Sequence, residues 1–206
     1  NDRKGNKTVV PGDIMYKDVD GDGVINYMDE RPIGYRSDST PTLNFGINLS
    51  ASWKGFDLAM DWTGSGMTSW QQQYETARPF QNDGNSPDEV FKDAWHLADI
   101  WDADSQLIPG KYPLIRLNNE ETSAYDKSTF WLHNVKYIKL RNLEFGYTLP
   151  KRIVAKAGIS NLRLYVSGTN LFSISNIPFM DPECINSNGL DYPTMRVVNL
   201  GINLKF

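Results

Sequence analysis

The residues with the clearest chemical potential form an acidic stretch in the first thirty positions of this 206-residue sequence. Oxygen-bearing groups recur at alternate positions, Gly23 occupies the sixth place, and a further carboxylate stands at the twelfth. The candidate ligands are Asp18, Asp20, Asp22, Val24, Asn26 and Asp29. This order matches the calcium-loop pattern, in which the glycine permits a sharp turn and the seventh position, Val24, offers its backbone carbonyl. The spacing therefore predicts a calcium site.

Two features of the stretch separate it from an EF-hand. Asp29 is one methylene shorter than the usual glutamate, and no helical pattern flanks the loop. An acidic, glycine-rich turn without metal therefore stays open as the alternative. If calcium binds, loops of this extracellular kind have dissociation constants on the order of 0.1–1 mM, and the ion would serve a structural role.

A second group of candidates consists of aromatic side chains in a long stretch without regular periodicity. These residues are Trp70, Tyr74, Trp95 and Trp101. Aromatic rings in long loops can stack on a sugar ring or a peptide, and loops of this length are usually functional. The alternative is that the rings pack the loop against itself.

Catalytic chemistry is not expected. His96 has no second ligand at metal spacing, and Asp57 and Asp61 alternate in phase with a polar strand face. No nucleophile and base stand in a recognisable arrangement, so the sequence predicts a protein that is not an enzyme. Cys184 is the only cysteine, which excludes an internal disulfide. The net charge of −4 argues against nucleic-acid binding.

The elements that must position these candidates are β-strands, together with one short helix expected near 88–99 with Ser86 as its N-cap. Apolar and polar residues alternate in five segments, which are 42–53, 56–63, 130–149, 162–172 and 193–206. The phase of the alternation slips near Arg141 and Asn142, which predicts a β-bulge there. In the last segment Leu200, Ile202 and Phe206 share the apolar face, while Asn203 lies on the other. A period of two indicates strands, and a run of about ten residues crosses a bilayer when tilted. A soluble sandwich gives the same alternation.

The lengths of the connections favour a membrane barrel over a sandwich. The turns after Trp53 and Leu149 are short and the other connections are long, as in outer-membrane barrels with short periplasmic turns and long extracellular loops. We therefore expect an extracellular loop at 1–41 with the calcium pattern, and five strands over 42–206 with long loops at 64–129 and 173–192. Five strands cannot close a barrel in lipid, so we expect a fragment of a longer chain.

Three motifs carry a resemblance to a known family. They are GDIMYKDVDGDGVIN at 12–26, YIKLRNLEFGYTLP at 137–150 and LRLYVSGTNLF at 162–172. These segments resemble the C-terminal part of SusC/RagA-type TonB-linked outer-membrane proteins. The likeness covers most of the chain from Pro11 onward. It departs at 100–102, where Ile-Trp-Asp stands in place of the Arg-Trp-Thr typical of relatives.

The resemblance implies an all-β fold, in which these residues form the C-terminal strands of a large antiparallel transmembrane β-barrel of roughly 22 strands. It also implies a plug, a SusD-like surface lipoprotein that acts as a lid, and energy delivered through TonB. The implied function is multi-pass, outer-membrane import of oligosaccharides or peptides for nutrient uptake. A passive porin and a secreted, calcium-dependent carbohydrate-binding or adhesion module remain as alternatives.

Overall fold

The computed structural model describes residues 9–35, 40–116, 122–177, 179–184, 188–189, 191–192 and 194–206. Parts of the predicted loops 1–41, 64–129 and 173–192 therefore lie outside the described residues. The chain forms two compact units. The first comprises the described residues of Asn1–Tyr35, Ser69–His133 and Asn186–Leu190, and the second those of Arg36–Thr68, Asn134–Ile185 and Asp191–Phe206.

The regular elements are mostly strands. In chain order they are β1 (Leu43–Trp53), β2 (Phe56–Gln71), helix α1 (Asp88–Lys92), β3 (His96–Leu97), β4 (Leu107–Ile108), β5 (Leu132–Thr148), helix α2 (Lys151–Val154), β6 (Asn161–Ser175) and β7 (Val197–Lys205). Short 3-10 turns cover Tyr27–Asp29, Tyr74–Thr76, Gln81–Asp83 and Ala155–Ala157. Five strands form one sheet in the order β1-β2-β5-β6-β7, and β3 pairs with β4 separately. The predicted all-β class is confirmed. No helix in the described ranges is long and apolar enough to cross a membrane.

The first hairpin has the short turn that its sequence predicts. Trp53 pairs with Phe56, and the two residues between them, Lys54 and Gly55, both have positive φ, of 48° and 90°. Two consecutive positive φ angles are typical of the type I′ turn, whose twist matches that of the flanking strands. The turn thus sets the register that all of β1 keeps against residues 56–66 of β2.

Strand β2 is longer than the alternation predicts. The expected end was residue 63, but the strand continues to Gln71, so the following loop begins at 72 instead of 64. Residues 64–71 include glycine and serine in place of large apolar groups, which hides the period of two. Gly64 has a packing reason, because a Cβ at this position would collide with the ring of Phe45 on β1.

Other boundaries also differ from the sequence prediction. The helix expected at 88–99 ends at Lys92, and its N-cap is Pro87 instead of Ser86. Strand β5 begins at Leu132, two residues later than expected, and β6 continues to Ser175, which shortens the loop predicted at 173–192. The predicted β-bulge is present, since the register between β5 and β6 shifts between Leu140 and Asn142.

The sheet of the second unit has two chemically different faces. On one face, cross-strand neighbours on β5, β6 and β7 are apolar: Tyr147 pairs with Leu164, which pairs with Ile202. Leu200 and Ile202 are 88% and 67% exposed. Contiguous exposed apolar surface of this kind is unusual in a water-soluble monomer and fits the lipid-facing side of a barrel wall.

The first unit packs around an aromatic core. Its buried cluster consists of Ala77, Val90, Ala94, Tyr112, Ala124, Tyr125 and Trp131. The rings of Tyr112 and Tyr125 stack on Trp131, with centroids 5.8 and 5.7 Å away. The Trp131 indole N–H donates to the carbonyl of Ala124 at 2.8 Å, so its one polar atom is satisfied. The long loop is therefore a packed structure.

Candidate functional site

The acidic loop brings three of its predicted ligands together. Carboxylate oxygens of Asp18, Asp20 and Asp22 lie within 4.8 Å of one another. Calcium binds oxygen at about 2.3–2.6 Å, so two ligands on opposite sides of one ion stand about 4.6–5.2 Å apart. The spacing of these three carboxylates, and their all-oxygen chemistry, therefore fit a calcium ion.

Backbone hydrogen bonds hold this loop in shape. The Asp18 carboxylate accepts the N–H groups of Gly21 at 2.6 Å and Gly23 at 2.8 Å. Asp22 accepts the N–H of Val24 at 2.7 Å. Gly21 and Gly23 both have φ of +81°, a conformation that residues with a Cβ rarely adopt. The two glycines thus allow the chain to curl around its own carboxylates.

The other three predicted ligands bond within the loop. Asp29 accepts the N–H groups of Asn26 at 2.8 Å and Val19 at 2.7 Å. These hydrogen bonds, led by that from Asn26, hold the pKa of the Asp29 carboxyl below its usual range. The Asn26 side-chain amide donates to the carbonyl of Val24 at 3.2 Å. Asp29 therefore closes the loop as a cap on the backbone.

The four aromatic candidates occupy different environments in the first unit. Trp70 is only 3% exposed and stacks on His133, with ring centroids 5.3 Å apart, so its ring packs the interior. Trp95 is half-buried, and its Cβ and Cγ would contact a side chain placed at Gly12. Tyr74 is exposed, and Trp101 is 90% exposed. Among the four, Tyr74 and Trp101 are the residues whose rings are open to solvent.

A buried charge network in the second unit was not predicted from the sequence. Lys139 on β5 is 4% exposed, and its Nζ lies 3.2 Å from Asp181, 2.9 Å from Glu183 and 2.7 Å from the hydroxyl of Thr194. Arg141 also pairs with Glu183, with one contact at 3.1 Å. The network fastens the connection between β6 and β7 to strand β5.

The carboxylates of this network favour their charged forms. Burial alone would raise the pKa of Asp181, but hydrogen bonds from Thr194, the Glu183 N–H and Lys139 outweigh it, and the pKa lies below its usual range. The pKa of Glu183 is lowered likewise, because Lys139 and Arg141 outweigh its burial. A sequence signal existed: Lys139 and Arg141 stand two apart on one strand face.

A second ion cluster lies on the polar face of the sheet. Arg163 on β6 contacts Asp57 on β2 and Glu144 on β5, the latter at 2.7 Å. The guanidinium reaches across β5 at Gly146, where a Cβ would collide with it. The cluster confirms that this face is polar and charged, as the alternation predicts for Asp57.

Comparison with known proteins identifies the family. No family model matches the sequence. TonB-dependent receptor P3 of Formosa agariphila is 30% identical over 209 residues, which cover 95% of this chain and 19% of the receptor. TonB-dependent receptor P26 of the same organism is 26% identical over 96% of this chain and 20% of its own length. The chain belongs to the TonB-dependent receptors. It spans about a fifth of the length of these curated relatives.

Similarity to solved structures supports the same family for this TonB-dependent receptor chain. The RagAB peptide transporter matches with a TM-score of 0.57 and 25% identity, over 82% of this chain and 18% of the transporter chain. The RagAB peptide importer in its closed-closed state matches with a TM-score of 0.59, at the same identity and coverage. The resemblance to SusC/RagA-type proteins is confirmed, and the five-stranded sheet is part of a barrel wall.

Proposed function

We propose that this chain forms part of a TonB-dependent outer-membrane transporter that imports oligosaccharides or peptides. The observation that carries the proposal is the sheet of this chain, which has exposed apolar residues on one face and the Arg163 ion cluster on the other. Lipid suits the first face and a water-filled lumen the second. In this arrangement the sheet crosses the membrane several times, and passage needs binding and gating without bond breaking.

The proposed partners lie outside this chain. A SusD-like surface lipoprotein would cover the extracellular side, a plug and further strands would complete the barrel, and TonB would supply energy from the periplasm. RagAB is a peptide transporter, or peptide importer, and its similarity to this chain supports the peptide class of substrate. The family resemblance supports glycans equally.

Uptake by living cells tests this function. Cells that carry the full-length receptor are given fluorescent peptides or oligosaccharides of graded length, with TonB present or deleted. We expect uptake of one class to depend on both the receptor and TonB. Uptake that survives loss of TonB would instead indicate a passive porin.

A second measurement separates the transporter from a secreted binding module. We expect residues 1–206 alone to stay insoluble in buffer and to require detergent, because the apolar face of β7 needs a nonaqueous neighbour. A soluble, monomeric fragment with β-type circular dichroism would overturn the barrel function.

We also propose that the acidic loop holds calcium on the extracellular side. Asp18, Asp20 and Asp22 already converge, and the Val24 carbonyl, Asn26 and Asp29 lie in the same loop as further oxygen ligands. A divalent cation would neutralise carboxylates that otherwise repel one another at short range. The ion would stiffen a surface on which the lid or the substrate docks.

A further inference from the structure

One end of the sheet in the second unit gathers three chain segments. The turn between β1 and β2 joins the end of β5, because the Thr148 N–H donates to the Gly55 carbonyl at 2.8 Å. The connection between β5 and β6 joins the end of β7, because the Ser160 N–H donates to the Lys205 carbonyl, also at 2.8 Å. The side chains of these segments therefore share one rim of the barrel wall.

This rim is strongly basic. Its exposed cationic residues are Lys54, Lys151, Arg152, Lys156 and Lys205. The connection 149–160 contains no aspartate or glutamate. In the described part of the chain, none of these five cations forms a salt bridge, in contrast to Lys139, Arg141 and Arg163. The rim thus offers positive charge that the described residues do not neutralise.

The basic rim borders an aromatic part of the apolar face. The rings of Phe56 and Tyr147 lie 4.4 Å apart between centroids, and Trp53 beside them is 68% exposed. The Lys54 ammonium lies 4.7 Å from the centre of the Trp53 ring. In helix α2, Ile153 is 56% exposed next to Arg152. Two of the rim's cations, Lys54 and Arg152, therefore lie next to exposed apolar side chains.

We propose that this basic rim binds the phosphate groups of anionic phospholipids in the membrane leaflet that surrounds it. The inference rests on the proposed function, since it needs the apolar face in lipid. Tryptophan and tyrosine concentrate at the headgroup level of a bilayer, and nearby lysine and arginine extend towards lipid phosphates. The basic rim adjoins the apolar face of the sheet. A phospholipid can place its phosphate on the rim and its acyl chains on the apolar face, whereas free phosphate can contact only the rim.

The test uses the full-length receptor in nanodiscs made from equal amounts of phosphatidylglycerol and phosphatidylethanolamine. Lipids that remain bound after transfer to detergent are counted by native mass spectrometry. We expect phosphatidylglycerol to be enriched in the wild-type protein. In the variant K151Q/R152Q/K156Q, the enrichment of phosphatidylglycerol should be at least about tenfold weaker. Each basic residue near an anionic surface contributes about fivefold to the affinity. About 10 mM inorganic phosphate should not displace the lipid.

A charge-matched control removes three exposed lysines of the first unit, in K17Q/K92Q/K127Q. This variant should keep the wild-type lipid preference. Equal loss in both variants, no preference in the wild type, or displacement by inorganic phosphate would overturn the lipid site. Failure of the wild-type receptor to enter nanodiscs at all would contradict the proposed function instead, so the two failures are distinguishable.

Discussion

Carboxylates gather in two places in this molecule, and their surroundings compensate the charge differently. Asp181 and Glu183 are largely covered and meet the cations Lys139 and Arg141. In the acidic loop, Asp18 and its neighbours are more exposed and accept backbone N–H groups. Among the described residues, no cationic side chain forms a salt bridge with the acidic loop's three clustered carboxylates.

The difference shows what each cluster needs. A buried carboxylate without a cation costs several kcal/mol, so the interior cluster carries its compensation within the chain. Exposed carboxylates are solvated by water, and a dissolved cation can provide the compensation when it is available. The interior network should therefore form without a dissolved cation, whereas the order of the acidic loop should depend on calcium.

Removing the interior cation should have the largest effect. Lys139→Met leaves Asp181 and Glu183 with less compensation in a covered site, so we expect a loss of about 3–5 kcal/mol in the free energy of unfolding. The measurement is urea-induced unfolding of the full-length barrel in lipid vesicles. Lys136→Met is the matched control, because Lys136 is exposed on the same strand. A similar loss in both variants would show that the Lys139 network is not the cause.

Strand β7 allows a cation with no carboxylate partner to be placed on either the apolar or the polar face of the sheet. Ile202→Arg places a cation on the apolar face and should cost roughly 2–4 kcal/mol if it lies near the bilayer midplane. Asn203→Arg adds the same charge on the polar face and should be better tolerated. Folded fractions on unheated electrophoresis and by urea titration report both. Equal damage from the two substitutions would contradict the assigned faces.

Acid should weaken the interior network. The pKa values of Asp181 and Glu183 are lowered in the folded protein, so folding favours their charged forms. Their contribution to stability is complete above the usual carboxyl pKa of about 4 and is lost as the pH falls through the lowered values. Proteolysis of the connection between β6 and β7 should increase in that range. In an Asp181→Asn/Glu183→Gln variant, cleavage should be higher at neutral pH and less sensitive to acid.

The smallest effect on global stability is expected at the acidic loop. Asp20→Ala with Asp22→Ala should abolish calcium-dependent protection of the loop in hydrogen exchange and leave barrel unfolding within about 0.5 kcal/mol of wild type. Half-maximal protection of the wild type is expected at about 0.1–1 mM calcium. Asp88→Ala with Glu89→Ala, two exposed acids of α1, is the control. If hydrogen exchange of the wild-type loop does not change with calcium concentration, the result would contradict the metal site.

Sequence periodicity was sufficient to predict most strands of the sheet, because one face of the sheet is apolar and the other is polar. The alternation in β1 and β7 predicted strands, and the phase slip near Arg141 predicted the bulge that the structure contains. The same rule failed for residues 64–71, where glycine and serine carry no hydrophobic period. At residues 64–66, pairing with β1 and space for the Phe45 ring beside Gly64 continue the strand.

The candidate sites divide in the same way. The acidic loop was found from sequence because its groups are local, within twelve positions from Asp18 to Asp29. The partners of Lys139 stand 42, 44 and 55 positions away, so only the fold brings them together. The burial of Trp70 likewise depends on tertiary packing, and its residue type could not distinguish a binding ring from an interior one.

Two glycines determine how far two long side chains project from the polar face of the sheet. Arg163 lies across Gly146, and the ring of Tyr165 lies over Gly201, where a Cβ would collide with it. Two of the longest side chains of β6 are thus laid sideways along the backbone of neighbouring strands. The polar face of the sheet therefore carries a charged group and an aromatic ring that project only a short distance from the backbone. In the proposed transporter, a larger residue at either glycine would push these side chains into the lumen and narrow the free cross-section for a passing solute.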